Sequence, residues 1–89
     1  MLVLFAARSD DSANTRIGIT VSRGVGGAVV RNRVRRRVRE AVRLRYDRLA
    51  RGWDLVFVAR AASAETGGGE LARAVEALLR RADLLTGRQ

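Results

Sequence analysis

The 89-residue sequence carries 18 basic side chains, every one an arginine, against nine acidic ones, a formal net charge of +9. It has no cysteine and no histidine, which excludes disulfides, Cys or His zinc sites, thiol catalysis and Ser-His or Cys-His triads. Such an excess of positive charge calls for a polyanionic partner, nucleic acid ahead of an acidic membrane.

Residues 2–8, LVLFAAR, form a short apolar run that reads as a buried strand. The turn formers of 9–14, SDDSAN, read as a loop, with Asp10 and Asp11 in a hairpin turn. Over 15–22, Ile17, Ile19 and Val21 alternate with polar residues and Gly18, so a half-buried strand is predicted. The short loop between the two strands predicts that they pair antiparallel. Residues 23–28, RGVGGA, read as a flexible turn into a helix. They lack the spacing and the Lys-Ser/Thr ending of a nucleotide P-loop.

Residues 29–50 carry the argument. Val30, Val34, Val38, Ala41, Val42 and Leu49 recur near one helical face. Asn32, Arg35, Arg36, Arg39 and Arg43 fan across the opposite side, while Arg37 falls beside the apolar stripe and has to snorkel. Nine arginines against Glu40 and Asp47 give this segment +7 of the total charge. Glu40 reads as an ion-pair partner of Arg36, Arg37 or Arg43 within the helix. Arg51-Gly52 is the predicted helix end. Residues 53–60, WDLVFVAR, are apolar almost throughout and predict a central strand. A linker over 61–69 leads to an amphipathic helix over 70–85, with Leu71, Ala74, Val75, Leu78, Leu79 and Ala82 on its stripe. The tail, 86–89, is expected to fray. The strand–helix–strand unit predicts two parallel neighbouring strands. The whole chain, 1–89, reads as a single RNA-binding domain.

No acidic pair is placed to face a cleft, so no catalytic residue is predicted. No apolar run approaches the roughly 18 residues of a membrane span, and no signal peptide is visible, so a cytoplasmic setting is expected. Arginine forks on one helix, opening after a glycine turn, suit RNA: they grip phosphates bidentately and stack on bases. Asn32 is able to read a base edge or a metal-bound water. A structural RNA-binding protein of ribosomal type is the alternative. A DNA-binding module lacks its helix–turn–recognition helix, and a membrane-surface helix lacks aromatic residues on its apolar face.

The stretch Arg16–Arg43 closely resembles the signature of the bacterial ribonuclease P protein component. Val21, Ser22 and Arg23 end the strand; Ala28, Val29, Arg31, Asn32, Arg33, Arg35, Arg36 and Arg39 follow the turn. The later strand and the helix with an arginine-rich end match as well, so the likeness runs from about Leu2 to Arg81. The resemblance implies a two-layer α+β sandwich with a small mixed sheet, two helices and a β-α-β crossover, left-handed in the family. It implies a protein subunit of an endoribonuclease that matures the 5′ ends of tRNA, with catalysis in the RNA subunit and Mg²⁺ bound mainly by that RNA. The implied partners are the ribonuclease P catalytic RNA and precursor tRNA, with no membrane and no obligate protein partner. The RNA-binding residues it implies are Arg31, Asn32, Arg33, Arg35, Arg36, Arg39 and Arg43. Phe5, Ser22, Arg23 and Arg60 would line the cleft for the precursor's leader. The family begins with a helix and a short strand upstream of the strand at Leu2, so the sequence resembles an N-terminally shortened member, expected to be less stable and less soluble than an extended form.

Overall fold

The computed structural model describes residues 2–61 and 67–85. Strand β1 (Leu2–Arg8) is followed by β2 (Arg16–Val21), helix α1 (Ala28–Arg43), β3 (Trp53–Ala59) and helix α2 (Gly68–Arg81). Short 3₁₀ turns occupy Arg23–Val25 and Tyr46–Arg48. The strands form one sheet in the order β1-β3-β2.

The expected pairing of β1 with β2 does not occur. β3 lies between them, antiparallel to β1 and parallel to β2. The physical reason is in β3 itself. Leu55, Phe57 and Ala59 on one face and Val56 and Val58 on the other make it the strand that gains most from neighbours on both sides. The loop after β1 therefore crosses the end of β3 instead of closing a hairpin. Ser9 N–H donates to the Gly52 carbonyl (2.8 Å) and Gly52 N–H donates to the Asn14 carbonyl (3.1 Å), which pins the loop to the residue just before β3. The parallel β2–β3 pair and the central position of β3 agree with expectation.

Both helices cover one face of the sheet. Val34, Val38, Ala41 and Val42 of α1 and Leu71, Val75 and Leu79 of α2 pack with Leu55, Phe57 and Ala59 in a single core. Helix α1 is shorter than predicted. It ends at Arg43, where the Arg45 guanidinium turns back to donate to the Ala41 carbonyl (2.8 Å), and the 3₁₀ turn follows. Leu49 reaches the core from beyond the helix, by a β-bridge to Leu85 and a bond from Ala50 N–H to the Leu84 carbonyl (2.8 Å). Gly52 serves the β1–β2 loop, not the helix end. Helix α2 begins two residues early, taking in Gly68 and Gly69, and stops at Arg81; Asp83 then turns with φ 62° so that Leu84 is buried. Most of the predicted linker (62–66) and the tail expected to fray (86–89) lie outside the described residues.

The loop crossing yields a test. Gly52 has φ +85°, and a Cβ there would sit 3.3 Å from the backbone of Ser12. Gly52→Ala is expected to cost about 1–3 kcal/mol in denaturant unfolding. Gly24→Ala, whose added Cβ meets only the Ala61 methyl at 3.9 Å, is expected to stay within about 0.5 kcal/mol of wild type.

Candidate nucleic-acid interface

Burial of Val34, Val38, Ala41 and Val42 fixes the roll of α1, and with 3.6 residues per turn the arginines then sort by flank. Asn32, Arg36 and Arg43 stand outermost and exposed. Arg31, Arg35 and Arg39 follow one another at four-residue spacing on the flank toward β2. Arg33 and Arg37 run along the flank toward α2, where the Arg37 stem lies 4.0 Å from where a Cβ on Gly68 would be. Arg37 is half-buried, as its place beside the apolar stripe predicts. The Arg-Asn-Arg triplet thus straddles the helix crest, with its two arginines on opposite flanks.

Local bonds arrange this surface. The Arg31 guanidinium reaches back over the glycine turn to the Gly26 carbonyl (3.3 Å), and Arg35 donates to Asn32 Oδ1 (2.9 Å), leaving the Asn32 amide N–H free to face outward. Of the three predicted partners, Glu40 takes Arg43, in a bidentate pair at 3.0 and 2.6 Å. Glu76 of α2 gathers Arg45 (2.9 Å), Arg80 (2.9 Å) and Arg48 (3.9 Å). The acids therefore neutralise arginines at the C-terminal end of α1 and along α2. Among the described residues, no acidic side chain pairs with Arg31, Arg33, Arg35, Arg36 or Arg39.

The face of the sheet away from the helices is open. The register sets Phe5, Val56 and Gly18 in one row across it and Val3, Val58 and Thr20 in the next. Phe5 is 56% exposed, and Gly18 presents no side chain beside Val56, so the middle of the face is an apolar trough with an aromatic wall. Arg16 and Asp54 close one end with a two-pronged pair at 2.8 and 2.9 Å, and the hydrogen bond from Arg16 holds the Asp54 carboxyl below the usual range. At the other end β2 and β3 finish side by side, with Ser22 N–H bonded to the Ala59 carbonyl (3.0 Å). Ser22, Arg23 and Arg60 are thereby brought together there, at the turn that starts α1. Phe5 stands apart from them, three residues along β3's register, about 10 Å away.

Two groups escaped the sequence reading. Thr15 is buried; its hydroxyl donates to the Ala50 carbonyl (2.6 Å) and accepts from Trp53 N–H (3.3 Å). Tyr46 donates its phenol proton to the Thr15 carbonyl (2.7 Å), yet its side of the turn is open to solvent. It was concealed within the predicted helix, and an isolated aromatic there carries no signal of its own.

An arginine-rich helix laid beside a small mixed sheet with one face uncovered defines a basic α+β sandwich of the nucleic-acid-docking class. A family profile described as Ribonuclease P matches residues 1–83. The ribonuclease P protein component of Roseiflexus castenholzii is 51% identical over 88 residues, covering 98% of this chain and 71% of that protein. That of Symbiobacterium thermophilum is 42% identical over 83 residues, covering 93% and 72%. Among solved structures, an RNase P protein of Thermotoga maritima superposes with a TM-score of 0.80 at 27% identity, over 97% of this chain and 78% of that one. A mutant RNase P protein of Staphylococcus aureus gives 0.86 at 25% identity, over 94% and 70%. The chain belongs to the ribonuclease P protein component family. It is accordingly the protein part of the endoribonuclease ribonucleoprotein that processes tRNA. The α+β sandwich expected from the resemblance is the fold observed.

The Glu76 cluster predicts a pH dependence. Hydrogen bonds from Arg80 first and then Arg45 hold its carboxyl below the ordinary 4.5. Its contribution to stability is therefore full above that value and is lost as pH falls through the lower folded value. Thermal melts of Glu76→Gln are expected to lie below wild type at neutral pH, with the gap closing as pH falls below 4.5.

Proposed function

We propose that this chain binds the catalytic RNA of ribonuclease P through α1 and holds the single-stranded 5′ leader of precursor tRNA in the open trough of its sheet. The observation that carries this reading is the meeting of two surfaces. The unneutralised arginines of α1 and the exposed apolar trough converge on one turn, Ser22–Ala28. In this reading Arg31, Asn32, Arg33, Arg35, Arg36 and Arg39 contact the RNA subunit. Arg43 joins them only by sharing its guanidinium with Glu40. Phe5 stacks on a leader base, while Ser22, Arg23 and Arg60 take the phosphates beyond it.

The described residues do not fit a resident Mg²⁺. Among the described residues no group of three or more Asp, Glu, His or Cys is placed to hold a metal ion. Asp54, Glu40 and Glu76 are committed to arginines. The metal is assigned to the RNA subunit, and the protein's part is to bind, neutralise phosphate and orient the substrate. No described helix is long and apolar enough to cross a membrane, and the reading places the complex in the cytoplasm.

The test is cleavage of precursor tRNA by ribonuclease P RNA at low Mg²⁺, with and without the chain; clear stimulation is expected, and none would refute the reading. Arg31→Ala and Arg35→Ala are each expected to reduce the salt slope of RNA binding by about one unit. Phe5→Ala is expected to weaken binding of leader-bearing precursor by about 1–3 kcal/mol and to leave mature tRNA unaffected.

A further inference from the structure

The sandwich is open along β2. This strand is a sheet edge, and its helix-facing Ile17 and Ile19 are only half-buried, whereas their neighbours Leu55 and Phe57 on β3 are sealed. Between β2 and the end of α1 lies a groove of about 520 Å³, floored by Ile17, Ile19 and Val42 and rimmed by Tyr46, Arg39 and Asp47. It faces the flank opposite α2 and is separate from the trough, which lies on the other side of β2.

Three features of the groove point to one kind of occupant. Its aromatic wall is fixed in place, because the Tyr46 hydroxyl is bound to the carbonyl of buried Thr15, yet the residue is 43% exposed. A ring held still beside an aliphatic floor is a stacking platform with little ordering cost. Arg39 at the rim has no side-chain partner among the described residues. It ends the row Arg31, Arg35, Arg39, whose members rise about 6 Å apart along α1 and so form a phosphate track leading into the groove. Asp47 adds a carboxylate acceptor beside Tyr46, and an acceptor at a stacking site selects bases that donate.

We propose that this groove captures one unstacked RNA base bearing an exocyclic amino group. Tyr46 stacks on the base, Asp47 accepts from its amino group and Arg39 holds its phosphate. The inference rests on the reading that α1 binds RNA. An extended peptide pairing with the free edge of β2 would fit the floor but would leave the arginine row without a role.

The experiment uses the whole chain and short single strands of cytidine, of uridine and of abasic residues, matched in charge and followed by fluorescence anisotropy. Cytidine strands are expected to bind roughly tenfold tighter than abasic ones, with uridine between them. With Phe5→Ala in place to remove the trough's own stacking, Tyr46→Leu should remove most of that advantage and leave abasic binding unchanged, Tyr46→Phe, which keeps the ring without its hydroxyl anchor, should keep part of it, and Asp47→Ala should erase the preference for cytidine over uridine. If Tyr46→Leu leaves every strand unchanged while Arg31→Ala and Arg35→Ala weaken them all, the groove proposal falls and RNA binding by α1 stands. If no strand binds the wild-type chain, the underlying reading falls with it. Photocrosslinking of a 5-iodocytidine strand to unaltered protein decides the matter independently of how Tyr46→Leu folds. Attachment at Tyr46 is expected; attachment at Phe5 alone overturns the proposal.

Discussion

The structure depends on β3 being paired on both edges. Its inward residues Leu55, Phe57 and Ala59 have at most 1% exposure, so burying this strand is where the small core draws most of its stability. Once β3 is central, β1 and β2 are both edges. A parallel pair cannot be closed by a tight turn, so the link from β2 to β3 has to cross over one face, and α1 is that crossover. Helix α2 then fills the rest of the same face over β1, where Leu4 and Ala6 lie near Leu78. Both described helices lie on this one face, and the other face of the sheet is left uncovered among the described residues.

Charge sets the second constraint. Placing nine arginines between residues 29 and 50 opposes folding by self-repulsion. The chain relieves this unevenly. Glu40 and Glu76 sit toward the C-terminal end of α1 and on α2, while the N-terminal three turns of α1 contain no acid until Glu40. The exposed Glu40–Arg43 pair itself contributes little to stability, since solvent screens it, unlike the more sheltered Glu76–Arg45 pair. Their effect is positional: they draw Arg43, Arg45, Arg48 and Arg80 into pairs and leave the row Arg31, Arg35 and Arg39 without an acidic partner among the described residues. An all-arginine surface also keeps the planar fork that lysine lacks, which suits a partner offering both phosphate oxygens and base faces.

Much of this was legible in the sequence where periodicity and burial coincide. The alternation of Ile17, Ile19 and Val21, the four-residue recurrence of Val30, Val34 and Val38, and the apolar run of β3 each matched an element. The family signature lay in contiguous residues and was readable for that reason. What was not legible depended on non-local choices. Six loop residues with turn chemistry suit a hairpin as well as a crossing, and only the competition for β3's edges decides between them. The end of α1 was missed because Arg45 and Leu49 keep the helical spacing after the backbone has left it; Arg45 caps the helix and Leu49 is buried through Leu85. Gly68 and Gly69 look like linker, yet the core position of Leu71 extends helix to them. The opposite flanks of Arg31 and Arg33 follow only from the roll of α1.

The proposed RNA surfaces have a common geometry. The trough and the arginine flank lie on the two sides of a single edge strand, and β2 is one strand wide, about 5 Å. At the end of β2 the chain turns through Ser22–Gly27 with no bulky side chain except Arg23 and the buried Val25. Gly26 permits this tightness: its φ is +150°, and a Cβ there would come within 3.1 Å of Val30. A thin, glycine-rich corner lies between the trough and the arginine flank of α1, without apolar bulk. A thicker edge, or an acid in the first turns of α1, would separate the two surfaces. In the proposed reading, the backbone economy of this corner is what sets the leader surface and the RNA-subunit surface next to each other.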